Sequence, residues 1–467
     1  MEDDGGSHRN GEYSSTVQCS NKKPRLESFI NERQIRDEFA HHQLGVARLN
    51  NGSFGSCPES VLKAQREWQL QFLRQPDDFY FNALRDGILR SRTMVKEFIN
   101  ADHVEEVSLV DNATTGAAIV LHHVGRGFLE GRYVKGESII LFHCAYQAVK
   151  KSIYAYLTRA GGSVVEVRLP YPVKSKDEIL TEFRKGLERG RLRSERIRLA
   201  IIDHITSMPS VVLPVRELVE MCREKGVDQV FVDAAHAIGS IEVDMKDIGA
   251  DFYVSNLHKW FFCPPSAAFL YCKKSNSNSD PGIGSYLHHP VVSHEYGNGL
   301  PIESSWIGTR DYSPQLVIPT AFEFVEQFEG GIKGIMKKNH DTVVSMAKML
   351  AEAWGTILGT PEDMCAGMAM VGLPSMLCVH SENDAQTLRS YLRSVYNVEV
   401  PIYYNDLRDG EETAMDKDGA ITGYARISHQ VYNTLEDYCM LRNAINSLVQ
   451  KRLICSELVK EKKDTIQ

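Results

Sequence analysis

The chain has 467 residues, 43% hydrophobic and 24% charged, with a formal net charge of -8. That length suits one large domain plus a smaller one, and the balance is ordinary for a globular protein. The acidic charge argues against a nucleic-acid-coating protein, whose binding face is strongly basic. The longest apolar runs, such as LVIPTAFEFVEQF at 316 to 328, are too short and broken to span a bilayer, so no membrane partner is expected.

Taken in chain order, MEDDGGSHRNGEYSS is acidic and polar, with no apolar signal core. A cytoplasmic protein is the expectation. Residues 1–27 read as a disordered tail. Within it Lys22, Lys23 and Arg25 flank a proline, a cluster of the kind used for nuclear import, although a solvated tail is the commoner meaning. Residues 28–44 read as a helical segment with Phe29, Ile30, Ile35 and Phe39 on one face. Ten cysteines, from Cys19 to Cys455, show no CxxC pair and no zinc-ligand spacing. In an intracellular protein they are free thiols, and no metal is expected.

Residues 45–315 form the expected large domain. β-rich runs occur at 106–113, 138–144, 163–169, 197–205, 229–237, 251–256 and 267–273, with helical stretches such as 145–160 and 214–226 between most of them. Strands alternating with helices predict a mostly parallel seven-stranded sheet covered on both faces, an α/β fold. Ligands in such sheets lie beyond the carboxyl ends of the strands. The basic stretch 184–198 lacks interleaved aromatics and reads as solvated surface, and the polar insertion 273–290 reads as a loop. Residues 316–467 predict a smaller α+β domain, with helices over 320–359, a strand near 375–381 and a helix near 384–395. Strands around 397–404 and 422–428 and a final helix at 434–451 complete it.

Chemistry-bearing residues follow the predicted strands. After the first comes DNATTG, where Thr114 and Thr115 open a helix and offer hydroxyls and free amides to a phosphate, with a plain threonine N-cap as the rival reading. Tyr146 follows the second strand. Asp233 in VDAAHAIG ends an apolar strand, where a carboxylate needs a cationic or hydrogen-bonding partner, and His236 lies on the same loop. Ser255, His258 and Lys259 follow in VSNLHKWFFCP. A lysine, a carboxylate, phosphate-binding groups and an aromatic platform are what pyridoxal phosphate chemistry requires.

The motifs LNNGSFG, VDNATT, IIDHITSMP, VFVDAAHAIG, VSNLHKWFFCP, WIGTRDYS and YARISHQVYNT resemble, in order, those of the class V aminotransferase family of fold-type I pyridoxal phosphate enzymes. That group includes cysteine desulfurases and isopenicillin N epimerase. The resemblance implies pyridoxal 5'-phosphate as cofactor, with Lys259 as the Schiff-base lysine and Asp233 as partner of the ring nitrogen. It places His236 beside the ring hydroxyl and Tyr146 on the ring face. Thr114, Thr115, Ser207, Ser255 and His258 are implied around the cofactor, most of them at its phosphate. Thr309 would reach the phosphate of a neighbouring subunit, hence a homodimer. Arg426 would clamp the substrate α-carboxylate, assisted by Asn51.

The reaction is narrowed by an absence. Cysteine desulfurases carry a thiolate on a small-domain loop shortly before the carboxylate arginine, yet no cysteine lies between Cys378 and Cys439. Sulfur is therefore expected to leave as sulfide: β-elimination of L-cysteine to hydrogen sulfide, pyruvate and ammonia. A lyase for larger cysteine conjugates, an epimerase or aminotransferase, and a catalytically silent scaffold are the alternatives.

Overall fold

A computed structural model describes residues 29–274, 287–407 and 413–458. The expected tail 1–27, with Lys22, Lys23 and Arg25, and most of the 273–290 loop lie outside the described residues.

The strands are β1 (Ala47–Arg48), β2 (Val107–Val110), β3 (Ser138–Phe142), β4 (Ser163–Val167), β5 (Ile197–Asp203) and β6 (Gln229–Asp233). They continue as β7 (Phe252–Asn256), β8 (Ala268–Cys272), β9 (Met368–Gly372), β10 (Val398–Glu399), β11 (Ile402–Tyr404) and β12 (Gly423–Ser428). All seven predicted runs join one seven-stranded sheet in the order β2-β8-β7-β6-β5-β3-β4. Only β8 runs antiparallel to its neighbours. β3, β6 and β7 are buried along their whole length, because helices cover both faces, and that is why they read as apolar runs rather than as alternation.

The smaller unit holds an antiparallel sheet β11-β12-β9. Its first strand lies upstream of the predicted 375–381 run. There Pro374 precedes a short 3-10 turn, Ser375–Leu377, and Cys378 has φ +54, a left-handed conformation that ends extended pairing. β1 pairs in parallel with β10, so Ala47 and Leu49 pack in the small-domain core although the sequence groups residue 45 onward with the large one. The helix Gly331–Trp354 joins the two units. Ile332, Ile335 and Met336 enter the large core, and Val343, Ala347 and Leu350 the small one. No described helix is long and apolar enough to cross a membrane.

Candidate active site

Three neighbouring parallel strands deliver the central groups. Asp203 ends β5 level with Asp233 at the end of β6. β7 ends at Asn256 and runs straight into a short helix, Leu257–Trp260, that carries Lys259. That helix is fixed from three sides. Asn51 Nδ2 donates to the Lys259 carbonyl at 3.0 Å, and Trp260 packs with Ile205, Ala366 and Met368. Gly55, at φ +71, approaches so closely that a Cβ there would lie 1.8 Å from the His258 carbonyl oxygen, a contact only glycine permits.

Lys259, Asp233, Asp203 and His236 line a cavity of about 180 Å³. Lys259 Nζ lies 3.3 Å from His236 Nε2. Burial, reinforced by the Arg426 charge and opposed by Asp233, lowers the Lys259 amine to about 8. Burial and the lysine charge hold His236 well below the ordinary imidazole range, so its ring is neutral, and its Nδ1 has no partner among the described residues. Asp233 accepts the Ala235 N–H at 3.1 Å. Burial raises its carboxyl, while that hydrogen bond and Lys259 pull the other way. Asp203 is pushed well above its usual range by burial and by the Asp233 charge, and its Oδ2 has no partner among the described residues. Both carboxyls are raised, Asp203 the further, because the Asp233 charge adds to its burial.

At the mouth of the helix Ala113–Leu129, Asn112 is the cap. Its Oδ1 accepts the Thr115 N–H at 2.9 Å and the Thr115 hydroxyl at 3.3 Å. Asn256 Oδ1 accepts the Ala113 N–H at 2.8 Å. The donors left at this helix start are those of Thr114, which lines the cavity beside Tyr146, Ser207 and His258. Burial lowers His258 to about 4, with its Nδ1 3.1 Å from the Ala267 carbonyl. Two expected cofactor contacts are engaged by other protein groups. Thr115 is spent on Asn112. Ser255 Oγ donates to the Ala234 carbonyl and accepts the Ile238 N–H at 3.1 Å, so it braces β7 against the loop after β6. Thr309 is exposed and does not line the cavity of its own chain.

Arg426, buried on β12, donates through one terminal nitrogen to the Ser207 carbonyl (3.0 Å) and hydroxyl (3.2 Å). The other reaches Asn50 Oδ1 at 2.9 Å and Ser53 Oγ at 2.7 Å. All four acceptors are neutral, and Nε has no partner among the described residues. Burial, then Arg389, lowers Arg426 to about 10, which leaves it cationic at neutral pH, with no counter-ion among the described residues. It opens onto a second chamber of about 800 Å³ that shares Ser53, Tyr146, Ser207 and Lys259 with the first. Asn51 is not at the arginine. Its amide is used on the Lys259 carbonyl and the Tyr432 hydroxyl (2.9 Å), so it positions the lysine. Asn50 and Ser53, its neighbours in NNGSFG, hold the arginine instead. They and Asp203 in IIDHI are the site residues that sequence reasoning passed over.

A largely parallel sheet with a lysine helix after one central strand and an aspartate ending the next defines a fold-type I α/β enzyme. Residues 63–440 match the family described as Aminotransferase class-V, and the chain belongs to that family. "L-cysteine desulfhydrase" of Arabidopsis thaliana is 65% identical over 454 residues, covering 97% of this chain and 99% of the relative. Among solved structures, a C-DES mutant with glycine covalently linked to its PLP cofactor aligns with a TM-score of 0.64 at 17% identity, over 88% of this chain and 98% of that one. Apo cysteine desulfurase from Thermococcus onnurineus NA1 aligns at 0.62 and 17%, over 87% and 95%. These two likenesses bear on the fold alone.

Proposed function

We propose that the chain uses pyridoxal 5'-phosphate to catalyse β-elimination of L-cysteine, consuming one water and giving hydrogen sulfide, pyruvate and ammonia. The observation that carries this reading is the buried Lys259 amine, lowered to about 8 and lining one cavity with Asp233 and His236, in the field of Arg426. The 65% identity to a desulfhydrase supports the choice of substrate.

The donor set fits the cofactor. Lys259 would hold it covalently, Asp233 would pair with its ring nitrogen, His236 would face its ring hydroxyl and Tyr146 its ring face. Thr114 and His258 would hold its phosphate, with Ser207 at the junction to the substrate side. The unpartnered His236 Nδ1, Asp203 Oδ2 and Arg426 Nε are buried polar atoms that a bound group would satisfy. When bound, pyridoxal phosphate supplies an electron sink for negative charge developing at an amino acid's Cα.

The chain's own residues do the rest. Arg426 binds the α-carboxylate through its planar fork, with its orientation fixed in advance by Ser207, Asn50 and Ser53. That contact supplies the anion the buried arginine lacks. Lys259 Nζ takes the Cα proton, because an amine near 8 is a competent base close to neutrality. His236, neutral and 3.3 Å away, contacts Nζ through Nε2 and orients the amine.

Sulfur then has no protein nucleophile to receive it. Cys144 is the one cysteine lining either cavity among the described residues. Burial pushes its thiol up, so it stays protonated and is a poor nucleophile. Sulfide leaves instead. Thr309, exposed and away from its own cavity, supports a homodimer in which each subunit completes its neighbour's phosphate site. The reading is tested by following pyruvate release from L-cysteine with wild-type protein and Lys259→Ala; turnover retained in the variant would overturn it.

A further inference from the structure

The chamber outside the catalytic cavity, about 800 Å³, is out of scale with a three-carbon substrate. Its small-domain wall is the helix Glu382–Tyr396, capped by Ser381, whose Oγ accepts the Asp384 N–H at 3.1 Å. Glu382, Gln386 and Arg389 line the chamber at a spacing that places them along one helix face.

The other cations of this chamber have occupations. Lys150 pairs with Glu166 at 3.2 Å, and Arg168 donates to the Asp406 carbonyl. Arg426 is committed to the α-carboxylate. Arg389 differs from all of them. It is half-buried and makes no hydrogen bond or ion pair with any described residue. Burial and Arg393 lower it, with Glu399 as the opposing charge, and its own charge is felt at Arg426. Glu382, the acid on the same face, is exposed and forms no ion pair with it. A guanidinium partly stripped of water next to a second guanidinium is costly unless an anion joins it.

We propose that Arg389 anchors a distal-carboxylate subsite, so that the enzyme accepts cysteine conjugates whose sulfur substituent ends in a carboxylate. The inference rests on the β-elimination reading. The Cβ–S bond breaks with its electron pair going to sulfur, and the thiolate takes up the proton removed from Cα. One water is consumed, giving the acidic thiol, pyruvate and ammonia.

The test uses S-(2-carboxyethyl)-L-cysteine and its neutral amide, S-(2-carbamoylethyl)-L-cysteine, with wild-type holoenzyme, Arg389→Gln and Arg389→Lys. Each compound is competed against L-cysteine and assayed for its own pyruvate release. The wild type should bind the carboxylate roughly tenfold or more tightly than the amide, the scale of one hydrogen bond between charged groups. The ratio should fall to about one in Arg389→Gln and recover in part in Arg389→Lys. Pyruvate should form faster from the acid than from the amide. A wild-type ratio near one, a ratio unchanged in Arg389→Gln, or binding without pyruvate release overturns the subsite. Failure of the wild type to turn over L-cysteine itself would instead sink the underlying reading.

Discussion

Asp203 and Asp233 end neighbouring parallel strands at the same register, so two buried carboxyl groups stand side by side beneath the cavity. Like charges cannot both form there cheaply, and Asp203 is the one pushed well up. Asp233→Asn removes the anion and should lower kcat/KM by roughly a hundredfold or more, the scale of losing one preorganised electrostatic group. Asp203→Asn keeps the shape of the carboxyl that is pushed further toward its neutral form, and should cost less than about tenfold by the same scale. Steady-state pyruvate release from both variants checks this; equal losses would mean that the proton is assigned to the wrong carboxyl.

Arg426 is held by neutral oxygens that suit a planar fork. Arg426→Lys keeps the charge but not the geometry, and should raise KM for L-cysteine by about tenfold or more, in line with the non-equivalence of the two cations at bidentate sites. Arg426→Gln should raise it further. The separation of KM from kcat reads the effect, and an unchanged KM in both variants would move the carboxylate elsewhere.

Much of this was legible in the sequence. The seven sheet strands stood out because burial on both faces demands unbroken apolar runs, and Lys259, Asp233, His236 and Arg426 were marked by their places after strands or within family motifs. The misses have local causes. Asn51 looked like a substrate contact because its motif lies at the site, but whether Asn50 or Asn51 turns toward Arg426 depends on the turn geometry before Gly55. Ser255 and Thr115 carry the right hydroxyls, yet main-chain atoms and Asn112 claim them first. Asp203 was hidden in an apolar strand whose register with β6 only pairing reveals. Arg389 sits in an ordinary amphipathic helix, and its lack of a partner is visible only in three dimensions.

The Lys259 amine, lowered to about 8 chiefly by burial, sets the pH dependence of cofactor loading. A lowered amine pKa means that the neutral, nucleophilic form dominates above that value and is lost below it. Reconstitution of apo-protein with pyridoxal phosphate, followed by absorbance, should speed up as pH rises and level off above about 8. A rate still climbing steeply at pH 10 would contradict the lowered value.

Gly55 presses against the backbone that carries the lysine, with 1.8 Å between a built Cβ and the His258 oxygen. Gly55→Ala also forces a non-glycine residue to φ +71. It should destabilise the fold by more than about 1 kcal/mol, since Ala at positive φ is strained, and it should depress activity by displacing Lys259. Denaturant unfolding alongside pyruvate assays reads both; wild-type values in each would show that this approach is not needed.

The most direct measurement is the product balance from L-cysteine with purified holoenzyme and no added reductant. The account predicts sulfide and pyruvate in equal amounts, with neither alanine nor persulfide on the protein, because the one cavity-lining cysteine among the described residues, Cys144, is half-buried with its thiol pushed up. Alanine in place of pyruvate, together with protein-bound persulfide, would contradict it.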